Sequence, residues 1–161
     1  MIWNDHMATA FVEAWASDAA AVVLFGRVIV ASIYPQNSWD KTIDKYAREF
    51  SELESLLTLA QVRGGRHCML AMDGQVEVEP GIAEIMGMAA RGRRHGQNED
   101  KLPQMRRQIM YDIAARFNLK MANTFSAKRE TTRRIPGCDD ETKWRMMDYM
   151  MIPQKLPTRT V

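Results

Sequence analysis

The sequence predicts an α/β domain built on a mixed β-sheet. Three observations carry this. Residues 20–25 and 28–34 are apolar runs separated only by Gly26-Arg27, the pattern of a hairpin. A helical repeat over residues 39–62 then leads into a third apolar run, residues 67–73, giving the strand–helix–strand order of a crossover between near-parallel strands. A second helical repeat from Pro103 is followed by strand-like runs that extend to residue 152.

Each element has a local reason. The hairpin strands are mostly apolar, so both of their faces are expected to be covered. Pro35-Gln36-Asn37-Ser38 breaks the second strand, with Ser38 the expected N-cap of the first helix and Asp40 in its first turn. In that helix Ile43, Tyr46, Phe50, Leu53, Leu57 and Ala60 recur three or four apart, while Lys45, Arg48, Glu49, Glu52 and Glu54 take the other face. Gly64-Gly65 ends it. Residues 74–102 are punctuated by Gly and Pro, with a short helix expected around 83–90; so long a connection is uncommon without a function. Pro103 suits the first position of the next helix, and Met105, Ile109, Ile113 and Phe117 step by four along it. Residues 119–125, 131–135 and 143–152 read as strands. The expected division is an ill-defined segment 1–18, one domain over 19–153, and a tail 154–161.

With 161 residues the chain is long enough to bury a core, and 46% hydrophobic against 26% charged residues is the balance of a folded soluble protein. The net charge of +2 is unevenly spread. Residues 1–90 hold six Lys/Arg against twelve Asp/Glu, whereas residues 91–134 hold twelve against four. That basic segment is either a surface that faces a polyanion or a solvated loop and helix face. Cys68 and Cys138 have no zinc-ligand spacing, and Cys68, in an apolar strand, reads as a buried free thiol. This, with no secretory signal and no apolar run long enough to span a membrane, gives an intracellular expectation, nuclear or cytoplasmic, without membrane association. The 13 methionines read as core filling.

The stretch from His67 to Asp73 raises the functional question. It is apolar until it ends in a carboxylate. In open α/β folds, ligands gather at the carboxyl ends of strands. A lone Asp at a strand end is also an ordinary turn former. His6, His67 and His95 are isolated, without metal-ligand spacing to one another.

Several marks occur in order: Tyr34 near Pro35 and Asn37, a helix, a strand ending in Asp73, a Gly-rich loop with Asn98, a helix leading to Asn123-Thr124-Phe125, and the run from Lys143 to Tyr149. Together they resemble the endonuclease/exonuclease/phosphatase superfamily, the DNase I-like fold. Within it the chain is most similar to the endonuclease domains of non-LTR retrotransposons, over roughly residues 19–153. The resemblance implies a partial DNase I-like α/β sandwich and phosphodiester chemistry with Mg2+ or Mn2+. By position, Asp73 is the strand-end Asp that orients or activates water, and Tyr34 lies near the phosphate. Asp148 matches an Asp that in the family orients a later His. Asn98 matches a loop Asn that contacts phosphate, and Gln75 stands where the family has Asn, one methylene longer. Arg91, Arg93 and Arg94 are placed to contact a phosphate backbone. Arg145 and Tyr149 are expected to be structural. No metal ligand is assigned.

The departures are as informative. Only about thirty residues precede Tyr34, and Glu13 has no evident strand context, so the family's metal-binding Glu is not matched. No terminal Ser-Asp-His follows Asp148. The expectation is therefore a domain truncated at both ends: a metal-dependent DNA endonuclease, weakly active or inactive. Two alternatives stand beside it, a catalytically dead nucleic-acid-binding remnant and an interaction fragment that completes its sheet with another chain. DNA is the first expected partner and RNA the second; oligomeric state is open.

Overall fold

The structure is a computed structural model, and it describes residues 10–35, 43–74, 76–78, 84–87, 101–125 and 148–157. Strands β1 (Phe11–Ala16), β2 (Ala20–Phe25) and β3 (Val28–Ile33) come first, followed by helix α1 (Asp44–Val62) and β4 (His67–Asp73). Helix α2 (Lys101–Arg116), β5 (Leu119–Met121), a 3-10 turn over Ala122–Phe125 and β6 (Asp148–Pro153) complete the order. The six strands form one sheet in the order β1-β2-β3-β4-β6-β5. Among the described residues only β3 and β4 pair in parallel, and α1 makes the crossover between them. The predicted mixed-sheet α/β class is the one observed.

The hairpin turn is Gly26-Arg27, with Gly26 at φ +54°. A positive φ at the first turn position alone fits a type II′ turn, where glycine has no Cβ to clash. Helix α1 buries Tyr46, Phe50, Leu53, Leu57 and Ala60, as its spacing predicts. Glu49, placed by sequence on the polar face, is buried as well. The helix ends in a Schellman arrangement: the Gly65 N–H donates to the Ala60 carbonyl, the Gly64 N–H donates to that of Gln61, and Gly64 takes φ +102°. It begins at Asp44 rather than residue 39; Ser38 and Asp40 lie outside the described residues.

Alternate strand residues build the core. Val22, Leu24, Ile29, Ala31, Ile33, Cys68, Leu70, Met72, Tyr149 and Met151 are buried on the face covered by the helices. On the other face Val23, Phe25, Val28 and Val30 are only half-buried and Met69 and Met150 are exposed, so among the described residues the hairpin is covered on one face and not on both. The Cys68 thiol is buried and free, and burial pushes its pKa up to about 12.

Four other expectations change. Strand β1 falls within residues 1–18 and places Glu13 on an edge strand, paired to Arg63 at 3.5 Å. Helix α2 starts at Lys101, with Pro103 still in the first turn, where a missing N–H forfeits no helical bond. Its buried face is Arg107, Met110, Ile113 and Ala114, while Met105 is exposed. Residues 84–87 form a turn rather than helix, because their backbone pairs elsewhere: Met121 N–H donates to the Ile85 carbonyl, and Gly87 N–H donates to Thr124 Oγ1. The strand expected over 119–125 stops at Met121. Thr124 Oγ1 donates to the Met121 carbonyl at 2.6 Å, and this local bond turns the chain out of the ladder. Residues 131–135 and 143–147 lie outside the described residues. No helix among the described residues is long and apolar enough to cross a membrane.

Candidate active site

The parallel β3–β4 register pairs Ile33 with Met72, and the antiparallel β4–β6 register pairs Met72 with Tyr149 and Asp73 with Asp148. Directly opposed residues share a face, and the next residue along each strand points to the other face. Met72 and Tyr149 therefore turn into the helix-covered core, while Asp73 and Asp148 turn to the opposite face. Tyr34, one step beyond β3, falls in the same row. Three residues far apart in sequence thus meet across three neighbouring strands.

They line one cleft of about 680 Å³ at the carboxyl ends of β3 and β4. The β1–β2 turn forms a second wall and brings in Asp18; Asn123 and Met150 close the side towards β5. Tyr34 is 63% exposed, so its hydroxyl is available to a ligand. It is held by its backbone, whose N–H donates to the Ala19 carbonyl at 2.9 Å. Asn123 ties the start of β6 in place. Its Nδ2 donates to the Asp148 carbonyl at 2.8 Å, and its Oδ1 accepts the Met150 N–H at 3.3 Å. The side-chain amide thereby does the work of an absent ladder residue.

Asp18 and Asn123 were not assigned to a site from sequence. Ser17-Asp18 before an apolar strand is a turn signal that would have placed Asp18 at the strand ends. Glu13 stands opposite Leu24, towards the far end of β2, and does not line the cleft. Gln75, Arg91, Arg93, Arg94, Asn98 and Arg145 lie outside the described residues. Among the described residues no three His, Cys, Asp or Glu side chains gather as a metal-holding group. What the cleft offers is one pair of adjacent carboxylates, Asp73 and Asp148, with Asp18 on the second wall, a phenol and an amide. Such a pair suits a hard divalent cation, because Mg2+ is commonly held by one or two carboxylates with water and phosphate oxygens filling the remaining positions.

No family model and no curated protein matches the sequence. Solved structures do match. The structure of the 3' phosphatase NExo from Neisseria bound to product DNA hairpin aligns with a TM-score of 0.56 and 14% identity, over 84% of this chain and 52% of that one. The 3'-5' exonuclease NExo from Neisseria meningitidis aligns with a TM-score of 0.52 and 14% identity, over the same shares. The chain has a partial DNase I-like α/β fold. It spans about half the length of the structures it matches.

Proposed function

We propose that this chain is a metal-dependent phosphodiesterase domain of DNA endonuclease type. The observation that carries the reading is the row Tyr34, Asp73, Asp148, where the carboxyl ends of β3 and β4 meet the amino end of antiparallel β6, in a DNase I-like fold. Within that fold, the order of the sequence marks favours the endonuclease domains of non-LTR retrotransposons. In this reading Asp73 orients or deprotonates the attacking water. The exposed Tyr34 hydroxyl donates to a phosphate oxygen. Asp148 and Asp73 would together hold Mg2+ or Mn2+, which when bound neutralises charge on the scissile phosphate and the leaving oxygen. Gln75, Asn98, Arg91, Arg93 and Arg94 are assigned to the phosphate backbone by their sequence positions alone. DNA is the proposed substrate, with RNA the alternative.

The test is nicking of supercoiled plasmid with Mg2+ or Mn2+, an EDTA control and the Asp73→Ala variant. Metal-dependent nicking that the variant lacks is the expected result. No nicking by a demonstrably folded protein overturns the reading. A second reading, nucleic-acid binding without cleavage, draws on the twelve basic against four acidic residues of 91–134 and on the cleft offering one carboxylate pair with no larger cluster among the described residues. It expects salt-sensitive binding that EDTA does not change.

A further inference from the structure

The chain leaving Asp73 is gripped by side chains from three other elements. Tyr46 of α1 donates its hydroxyl to the Gly74 carbonyl at 2.9 Å. Tyr149 of β6 donates to the Val76 carbonyl at 3.0 Å and accepts the Val78 N–H at 3.0 Å. Arg107 of α2 reaches the Glu77 carbonyl at 3.5 Å. Both phenols are buried, and desolvation drives their pKa values far above the ordinary tyrosine range, so they remain protonated donors. The Tyr46 ring is itself fixed: it stacks on Phe50 with 4.6 Å between centroids, and the Arg106 guanidinium lies over it, 5.1 Å from its centroid. Gly74 fits a slot in which a Cβ would stand 2.7 Å from Met110 Cε and 3.1 Å from Tyr149 Cδ2.

A chain that leaves a strand must re-satisfy its backbone groups, commonly by a local turn or by water. Here the partners are 28 to 73 residues away in sequence. The direction in which the chain departs from Asp73 is therefore tied to α1 and β6. The dipeptide Asp148-Tyr149 serves both faces of the sheet. Asp148 turns into the cleft beside Asp73, and Tyr149 turns beneath it to hold residues 76–78.

We propose that Tyr149 and Tyr46 are positioning residues for Asp73: by pinning the backbone of Gly74, Val76 and Val78 they fix the direction in which the Asp73 carboxylate is presented to the cleft. This deepens the phosphodiesterase reading and rests on it for the role of Asp73. The phenols do not touch substrate; they act through the backbone.

The test uses the full chain with Tyr149→Phe, Tyr46→Phe and the double variant, each keeping its ring and losing its hydroxyl. Ile29→Val, a core truncation remote from the segment, is the control for simple loss of stability. Three quantities are measured: the exchange rate of the Val78 amide, the three-bond couplings that report the Asp73 χ1 rotamer, and kcat and KM for nicking. In Tyr149→Phe the Val78 amide is expected to exchange about tenfold faster or more, because its acceptor is gone. The Asp73 couplings pass from single-rotamer to averaged values, and kcat falls about tenfold with KM within about twofold. Ile29→Val leaves all three at wild-type values. A Val78 amide as protected as in the control, or a single Asp73 rotamer in the double variant, overturns the proposal. So does a wild-type kcat in Tyr149→Phe. If wild-type protein does not nick, the phosphodiesterase reading fails, and the couplings and exchange rates still decide the positioning. Should Tyr149→Phe not fold, Tyr46→Phe, which removes a single bond to Gly74, carries the Asp73 couplings and the kinetics, and a single Asp73 rotamer with wild-type kcat there overturns the proposal.

Discussion

Asp73 and Asp148 stand directly opposite one another on β4 and β6, with both side chains on the face away from the helices. Like charges opposed across a ladder destabilise it unless a cation lies between them. Binding a divalent ion to the native state should therefore stabilise the fold even when no substrate is present. Millimolar MgCl2 is expected to raise the wild-type Tm by about 3 °C relative to NaCl of equal ionic strength. Asp148→Asn removes one carboxylate of the pair, so its Tm response to Mg2+ is expected to disappear. Circular dichroism melts with and without the ion read both effects. An equal Mg2+ response in the two proteins would remove Asp148 from the proposed metal site.

Asn123 joins the 3-10 turn to β6 through both ends of its amide. Asn123→Ala removes two bonds at the exposed margin of the sheet. The expected cost is about 1 kcal/mol, at the modest end because water can replace both partners. A urea titration should show the loss as a lower midpoint with an unchanged slope. A changed slope would mean that the end of β6 had come apart.

Why some of this was legible in the sequence follows from the range of the interactions. The buried stripe of α1 and its Gly64-Gly65 ending are written in local spacing, and both were read from it. The end of β4 at Asp73 was equally plain. Strand β1 was not: Phe11 and Val12 are exposed on a sheet edge, so no alternation marks it as half-buried. The rotation of α2 depends on distant partners. Met110 fills the slot beside Gly74 and Arg107 reaches Glu77, so the buried face includes them beside the expected Ile113 and Phe117, while Met105 is left exposed. In the cleft, Tyr34 and Asp73 were picked out as strand-end residues of a resembling family, and Asp148 as a residue of its last strand. Tyr46 and Tyr149 were read as core and structure, because their role lies in hydrogen bonds to backbone far along the chain.

The glycines separate by what a side chain would strike. At Gly65 a Cβ would lie 2.5 Å from Ile29 Cγ1 and 2.8 Å from the Ala60 carbonyl oxygen, and the carbonyl cannot rotate away. At Gly74 the nearest atoms are the flexible end of Met110, with Tyr149 Cδ2 at 3.1 Å. Gly65→Ala is therefore expected to cost about 2–3 kcal/mol and Gly74→Ala about 1 kcal/mol. Chemical denaturation of the two variants gives the ranking directly, and the reverse order would contradict the packing described.

Three buried acids make the fold sensitive to alkali. The Cys68 thiol is held up to about 12 from an ordinary 9.0, and the Tyr46 and Tyr149 phenols are raised well above 10.0, all chiefly by desolvation. A raised native pKa means that above the ordinary value the unfolded chain binds fewer protons than the native one, so stability falls as pH rises. The contribution is whole below pH 9, and Cys68 begins to draw it down between 9 and 12. The tyrosines add to the slope above pH 10. Tm measured from pH 7.5 to 10.5 should hold level and then decline, and Cys68→Ala should delay the start of the decline towards pH 10. At pH 8 the same burial keeps Cys68 as an unreactive thiol, so iodoacetamide should alkylate it only as fast as the protein opens. Rapid alkylation of Cys68 in native protein would show that β4 does not carry that side chain into the core.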